Sequence, residues 1–369
     1  MKITIFGLTI SSSWGNGHAT PYRAIMRALH RMGHRVTFYE RDVEYYRRRR
    51  DFHRCDYGEL VLYPEWRTIR TRALAEAAAS DVVIVGSYCP DGACVSDEVL
   101  PLAQPLRVFY DLDTPITLAK LAEGDLDYLR RDQMPGFDLY LSFTGGRILQ
   151  ILEREWNVRR AAPLYGCVDP EVHARVAPRE EFRCDLSYMG TYASDRQEKL
   201  DQLFLEPARR MKEAKFVLAG TLYPPQRLWP ENVRRFDHVS PADHATLYSS
   251  SRATLNITRK GMACSGYCPS GRFFEAAACG TPILSDWFEG LGAFFAPGEE
   301  IFLVHNADEV IAAMRCPDRE LRRLAERARR RTLQEHTGDC RARQLLQYLH
   351  EARWSQPRNT ESERVQWMS

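Results

Sequence analysis

In the segment CPSGRFFEAAACGTPILSD, residues 268–286, Ser270 and Gly271 stand directly before a short helical stretch. The first backbone amides of such a helix, here those of 271–273, have no acceptor within the helix and suit a phosphate. Glu275 follows one turn later, where its carboxylate can accept two hydrogen bonds from the vicinal hydroxyls of a ribose. Residues 276–278 are alanines, which keeps that face thin enough to pack closely, and Gly280-Thr281-Pro282 stops the helix and leads into a strand. A glutamate on a helix is ordinarily a solvated surface residue, so the reading rests on the whole segment. A second segment of the same kind runs from an apolar strand at 185–190 through Gly190-Thr191-Tyr192 to a helix opened by Asp195 and Arg196. The helix dipole makes this turn an anion site too, and the Arg196 guanidinium could clasp a phosphate there. Taken alone, Arg196 fits a surface arginine equally well.

The stretch FEAAACGTPILSD, the turn GCVDPEVH at 166–173 and the loop GTYASDR at 190–196 together resemble the CgeB-like spore-maturation proteins, which stand among the glycosyltransferases of the GT-B fold. The resemblance spans most of the chain and is strongest in its second half. It implies two Rossmann-like α/β domains facing a cleft, and transfer of a sugar from a nucleotide diphosphate sugar, a UDP-sugar first among them, to a hydroxyl acceptor. No other cofactor is implied. It further implies that Glu275 binds the ribose, that Ser270, Gly271 and Arg272 lie near the diphosphate with Arg196, and that Gly190 and Tyr192 belong to the same loop. The base would lie near Gly220 and the stretch His238-Val239-Ser240, with Val239 as a contact. Retaining members of the broad group often carry a glutamate eight residues before the ribose carboxylate. Here that position is Tyr267, which leaves retention or inversion open.

The first half should then take the acceptor and supply the proton chemistry. Trp14, Asn16, Gly17 and His18 lie in a loop after the first strand. Glycine permits close backbone approach, Trp14 could stack on a sugar face, and His18, just before a helix, suits a neutral general base as well as a local cap. Asp111 and Asp113 follow another strand, where a carboxylate could deprotonate a hydroxyl or Asp113 could cap the next helix. The loop 142–146 also carries glycines whose amides could meet the sugar or the diphosphate. Asp111-Leu112-Asp113 spells DxD but belongs to the acceptor half, so metal-independent transfer is expected, with arginines and helix N-termini neutralising the leaving group. A nucleotide-sugar epimerase or hydrolase, and a non-enzymatic nucleotide-sugar-binding protein of an envelope or spore surface, are the competing readings.

Alternating elements must position these groups. Strands are expected at 2–8, 35–39, 60–63, 81–86, 106–110 and 139–143, with helices opening at Pro21 and near 67–79, 115–122 and 146–156. Most of the strand runs are continuously apolar, as strands covered on both faces should be. A stretch rich in proline and charge at 161–184 interrupts the pattern. It resumes with strands at 185–190, 215–219, 253–257 and 282–285 and helices at 195–211, 242–249 and 271–279. The domains are therefore expected at 1–165 and 185–335 with a linker at 166–184, a final helix near 339–353 that could pack on either, and a mobile tail at 355–369.

The chain has 369 residues, with 51 Lys+Arg against 49 Asp+Glu, 44% hydrophobic and 27% charged. That composition closes cores and excludes a disordered chain. No apolar run is long enough to span a membrane, and a cytoplasmic location is expected. Only six of the basic residues are lysine, so 45 are arginine. The balanced acids favour base composition as the cause, with clusters 47–50 and 329–331 as solvated faces. A small molecule, glycan, peptide or DNA acceptor is compatible with this surface. The ten cysteines are dispersed, and the pairs Cys89/Cys94 and Cys264/Cys268 lack a second pair at zinc spacing, so buried thiols and no metal site are expected.

Overall fold

The computed structural model describes residues 1–354. The first half forms a seven-stranded, wholly parallel sheet from β1 (Lys2–Gly7), β2 (Arg35–Arg41), β3 (Glu59–Tyr63), β4 (Val82–Gly86), β5 (Leu106–Asp111), β6 (Leu139–Ser142) and β7 (Ala161–Pro163), in the order β3-β2-β1-β4-β5-β6-β7. The second half forms a six-stranded parallel sheet from β8 (Cys184–Met189), β9 (Phe216–Ala219), β10 (Val233–Phe236), β11 (Ser251–Asn256), β12 (Ile283–Ser285) and β13 (Phe302–Leu303), in the order β10-β9-β8-β11-β12-β13. Helices cover both faces of each sheet, so central strands such as β4, VVIVG, are buried at every residue. Strand order reverses between β1 and β4 and again between β8 and β11. In open sheets of this kind the crevice lies beyond the carboxyl ends at that reversal.

The expected strands are present with boundaries shifted by one or two residues. The helix expected at 195–211 is helical but not uniform: a 3₁₀ turn at Ser194–Arg196 leads into α turns interrupted by a π turn at Asp201–Leu205. Pro207 stands two residues beyond that turn, and its missing N–H removes the ordinary bond to the carbonyl four residues back. The proline-rich stretch at 161–184 contains β7, which pairs with β6 through Tyr140↔Ala161. Of the cysteines expected to be buried, Cys94 and Cys264 are exposed, and all ten are free thiols.

The last helix, Gly338–Trp354, crosses back to the first domain. Its Ala342, Leu345, Leu349 and Ala352 join one core with Ala24, Ile25, Ala28 and Leu29 of the helix Ala19–Arg31. A Cβ on Gly338 would fall 2.5 Å from the carbonyl oxygen of Ala24, so glycine is what lets the two helices meet. The chain thus passes between the domains twice, and the two passages bond to each other: Val168 N donates to His336 O at 3.0 Å and Gly338 N to Val168 O at 2.8 Å. The mobile tail expected at 355–369 lies outside the described residues.

Candidate functional site

A cavity of about 540 Å³ lies between the carboxyl ends of the two sheets. On the second-domain wall the helix Gly271–Ala278 opens at Ser270, whose extended backbone caps it without a side-chain hydrogen bond. Ser270, Gly271, Arg272 and Glu275 all line the cavity. Glu275 is 7% exposed, with Oε1 4.0 Å from His173 Nε2 and Oε2 3.4 Å from His244 Nδ1. Burial alone would push its carboxyl up, but His244, His173 and Arg272 outweigh that and hold it at about 2.

Arg196 is buried in the wall, its Nη2 donating to the Thr191 carbonyl and its Nε without a partner. Arg272 donates to Ile257 O at 3.2 Å and lies over the Tyr188 ring. Among the described residues neither makes an ion pair. Burial first, and then the nearby Arg272 and Arg259, lower the pKa of Arg196. Repelled, partly desolvated guanidiniums facing one space are the electrostatics of an anion site. Arg259, lining the cavity and 3.4 Å from Asp195, completes the group. Arg259 stands outside the expected site residues, although Thr258-Arg259-Lys260 just after β11 carries the same strand-end signal as the others.

Gly190 and Val239 line the cavity as well. A Cβ on Gly220 would fall 2.0 Å from Gly190 O, so the ends of β8 and β9 approach as only glycine allows. Tyr192 departs from expectation: its amide donates to Thr221 O and its ring packs edge-on against Tyr223, which takes it off the cavity and onto the core.

On the first-domain wall, Gly15, Asn16, Gly17, His18 and Asp113 line the space. Their loop is tied down by Glu40, a buried carboxylate that accepts from Thr9 Oγ1, Ile10 N and Ser11 N at 2.8, 2.8 and 2.9 Å. Nothing in the residues around Glu40 on β2 signals this role. Asn16 Oδ1 accepts the amides of His18 and Ala19 at 3.0 and 3.2 Å, so its carbonyl serves the helix start. Trp14 does not line the cavity. Arg49 lies 3.5 Å over its ring and His238 of the second domain packs 4.3 Å away, so the faces expected to receive a sugar already have partners.

His18 Nε2 lies 3.0 Å from Asp113 Oδ2. The His18 side chain is 7% exposed and that of Asp113 23%, so the carboxylate is the member that a bound hydroxyl can reach. Asp111 is excluded from this role. It is fully buried, accepts from Tyr140 Oη at 2.7 Å and Thr117 Oγ1 at 2.9 Å, and burial pushes its carboxyl up to about 6. The two carboxylates of the DxD sequence therefore do not converge. The loop 142–146 also differs from expectation: the Gly145 amide donates to Tyr267 O at 3.1 Å and Thr144 Oγ1 meets Cys268 Sγ, so it joins the domains. Tyr267 itself sits at φ +44°.

Residues 196–347 match the family model described as glycosyl transferase-like. That span begins at Arg196 and takes in Arg259, Arg272 and Glu275, the whole cationic side of the cavity. Most of the second domain and the last helix are thus similar to that family. Solved structures similar to this chain share its complete two-domain frame. An α-glucosyltransferase in complex with UDP superposes with a TM-score of 0.69 at 12% identity, covering 95% of this chain and 100% of its own. Sucrose-phosphate synthase from Thermosynechococcus elongatus gives 0.67 at 12% identity over 96% and 100%. HepE of Anabaena, in complex with UDP and glucose, gives 0.62 at 10% identity over 95% and 100%. The two domains together thus have the GT-B fold. A comparison with curated protein sequences finds no match.

Proposed function

We propose that the chain is a CgeB-like glycosyltransferase that moves a sugar from a uridine diphosphate sugar to an acceptor hydroxyl in the cavity between its domains. The observation that carries this reading is the division of chemistry across the cavity. Three arginines, a helix N-terminus and a buried carboxylate form one wall, and the Asp113–His18 pair belongs to the other.

In this reading Glu275 accepts hydrogen bonds from the ribose, and Arg196, Arg259 and Arg272 hold the diphosphate with the amides that open the 271–278 helix. Asp113, oriented by His18 Nε2–H, takes the proton of the acceptor hydroxyl. The acceptor oxygen bonds to the anomeric carbon as the bond from that carbon to the diphosphate oxygen breaks, and UDP leaves with its negative charge met by the guanidiniums. Direct displacement inverts the anomeric centre. Tyr267, standing where a retaining enzyme would carry a glutamate, supports that outcome. The donor assignment is supported by the UDP held in the structures of the α-glucosyltransferase and HepE.

Calorimetry with UDP, GDP, ADP and dTDP on wild type and Glu275→Ala tests the donor site. UDP should bind tightest, and the substitution should weaken it about tenfold or more, the scale of a charge-assisted hydrogen bond. Equal UDP affinity in the two proteins would overturn the assignment.

A further inference from the structure

Two histidines stand against Glu275, and nothing in the proposed transfer uses them. His173 comes from the passage between the domains and His244 from the helix Pro241–Ser250, while Glu275 lies on the helix Gly271–Ala278. One ligand atom from each of the three lies within 4.8 Å of the others. His244 Nε2 is 3.3 Å from the Val239 carbonyl oxygen, which can only accept, so Nε2 carries the proton. In the neutral ring, Nδ1 then presents a lone pair to Glu275 Oε2 at 3.4 Å, acceptor facing acceptor, whereas the lowered Glu275 carboxyl described above belongs to the ring protonated on both nitrogens. The His244 Nδ1 atom is buried without a hydrogen-bond partner, and His173, 4% exposed, turns Nε2 to Glu275 Oε1 at 4.0 Å.

We propose that His173, His244 and Glu275 form a binding site for a divalent transition-metal ion of zinc-like preference, and that the ion competes with the donor nucleotide for Glu275. A cation among the three converts the facing acceptors into ligands. Two imidazoles with one carboxylate suit zinc and its neighbours far better than magnesium or calcium, which prefer oxygen. The Val239 carbonyl fixes the His244 tautomer as an outer-shell partner of a ligating histidine does. Ligand bonds of about 2.0–2.1 Å require the three side chains to close in by roughly half an ångström. His244 and Glu275 line the cavity and His173 does not, so the ion enters from the cavity and its fourth position opens there. With both Glu275 oxygens turned to the ion and its ligands, the ribose loses its acceptor. The competition, though not the site, rests on the donor reading above. The simpler state of this cluster, a protonated His244 paired with Glu275 and no affinity for metal, is what the experiment must separate from it.

Zinc chloride is titrated calorimetrically into metal-free, nucleotide-free full-length protein, and cobalt(II) chloride is followed by visible absorption. One equivalent should bind, with tetrahedral cobalt bands and no thiolate charge-transfer band. His173→Gln and His244→Gln should each weaken zinc by about tenfold or more, with unfolding temperature reporting whether each variant folds. Absence of zinc uptake, a thiolate band, or affinity that survives both substitutions overturns the site. Should a variant fail to fold, the wild-type cobalt spectrum still decides. UDP titrated at saturating micromolar zinc should bind about tenfold more weakly, and an unchanged affinity overturns the competition. Loss of UDP binding in Glu275→Ala without zinc uptake by wild type rejects the metal site alone. Zinc uptake with UDP affinity indifferent to Glu275→Ala rejects the donor reading and leaves the metal site standing.

Discussion

Two positions separate Asp111 from Asp113, yet the first ends β5 inside the fold and the second faces the cavity. Burial holds the Asp111 carboxyl near 6 against about 3.9 in an unfolded chain. The folded state therefore keeps this proton longer, and the associated stability is present below about pH 4 and lost as the pH rises through about 6. Asp111→Asn removes that penalty, so its stability relative to wild type should rise by about 2–3 kcal/mol between pH 4 and pH 7 in urea unfolding. A pH-independent difference would show that the carboxyl is ionised when folded. Asp113→Asn should instead lower turnover about 10²–10⁴-fold with UDP affinity intact, the scale of a lost general base. Steady-state kinetics and calorimetry separate the two, and retained turnover places the base elsewhere. The cavity positions of Arg196, Arg272 and His18 follow from the strand end or helix start at which each stands, and that of Glu275 from lying one turn into its helix. The placement of Trp14 is not visible in the sequence because its partner His238 is more than two hundred positions away, nor is that of Glu40, because a strand carboxylate carries no local sign of the loop that it anchors.

At the scale of elements, apolar runs marked the central strands well, and β10 and β13 escaped because they are short and only partly buried. The arginine cluster at 329–331, expected to be a solvated face, is only partly so. Arg329 Nε donates to Ala278 O at 3.1 Å, capping the helix that carries Glu275, and Arg331 pairs with Glu300 at 3.0 Å. A guanidinium at the carboxyl end of a short helix complements its dipole. Arg329→Ala should cost about 0.5–1 kcal/mol in thermal unfolding. Gly338→Val should cost more, about 1–3 kcal/mol, because its side chain meets backbone at Ala24. Equal unfolding temperatures for Gly338→Val and wild type would mean that the two helices part easily.

Across the whole molecule, the domains are joined by two bonded passages on one side and by contacts around the cavity on the other. The Trp14 ring against His238, and the Gly145 and Thr144 contacts to Tyr267 and Cys268, bridge the cleft. Trp14→Ala should therefore favour an open form, seen as a larger radius of gyration in small-angle scattering without UDP and a smaller difference with it. An unchanged radius would make the Trp14 contact incidental to closure. The two-domain frame was readable from the interrupted alternation near 161–184. The return of the last helix was not, because Leu345 and Leu349 form the same apolar stripe whichever domain receives them.

That return has a consequence for how the protein is made. The apolar flank of the helix Ala19–Arg31 is synthesised more than three hundred residues before Ala342, Leu345 and Leu349, which cover it. During most of synthesis the nascent first domain carries an unfinished surface, exposed to chaperones and to other nascent chains. A premature stop before residue 338 would yield two nearly complete sheets and a product prone to aggregate, whereas one after 354 would release a chain with that seam already closed.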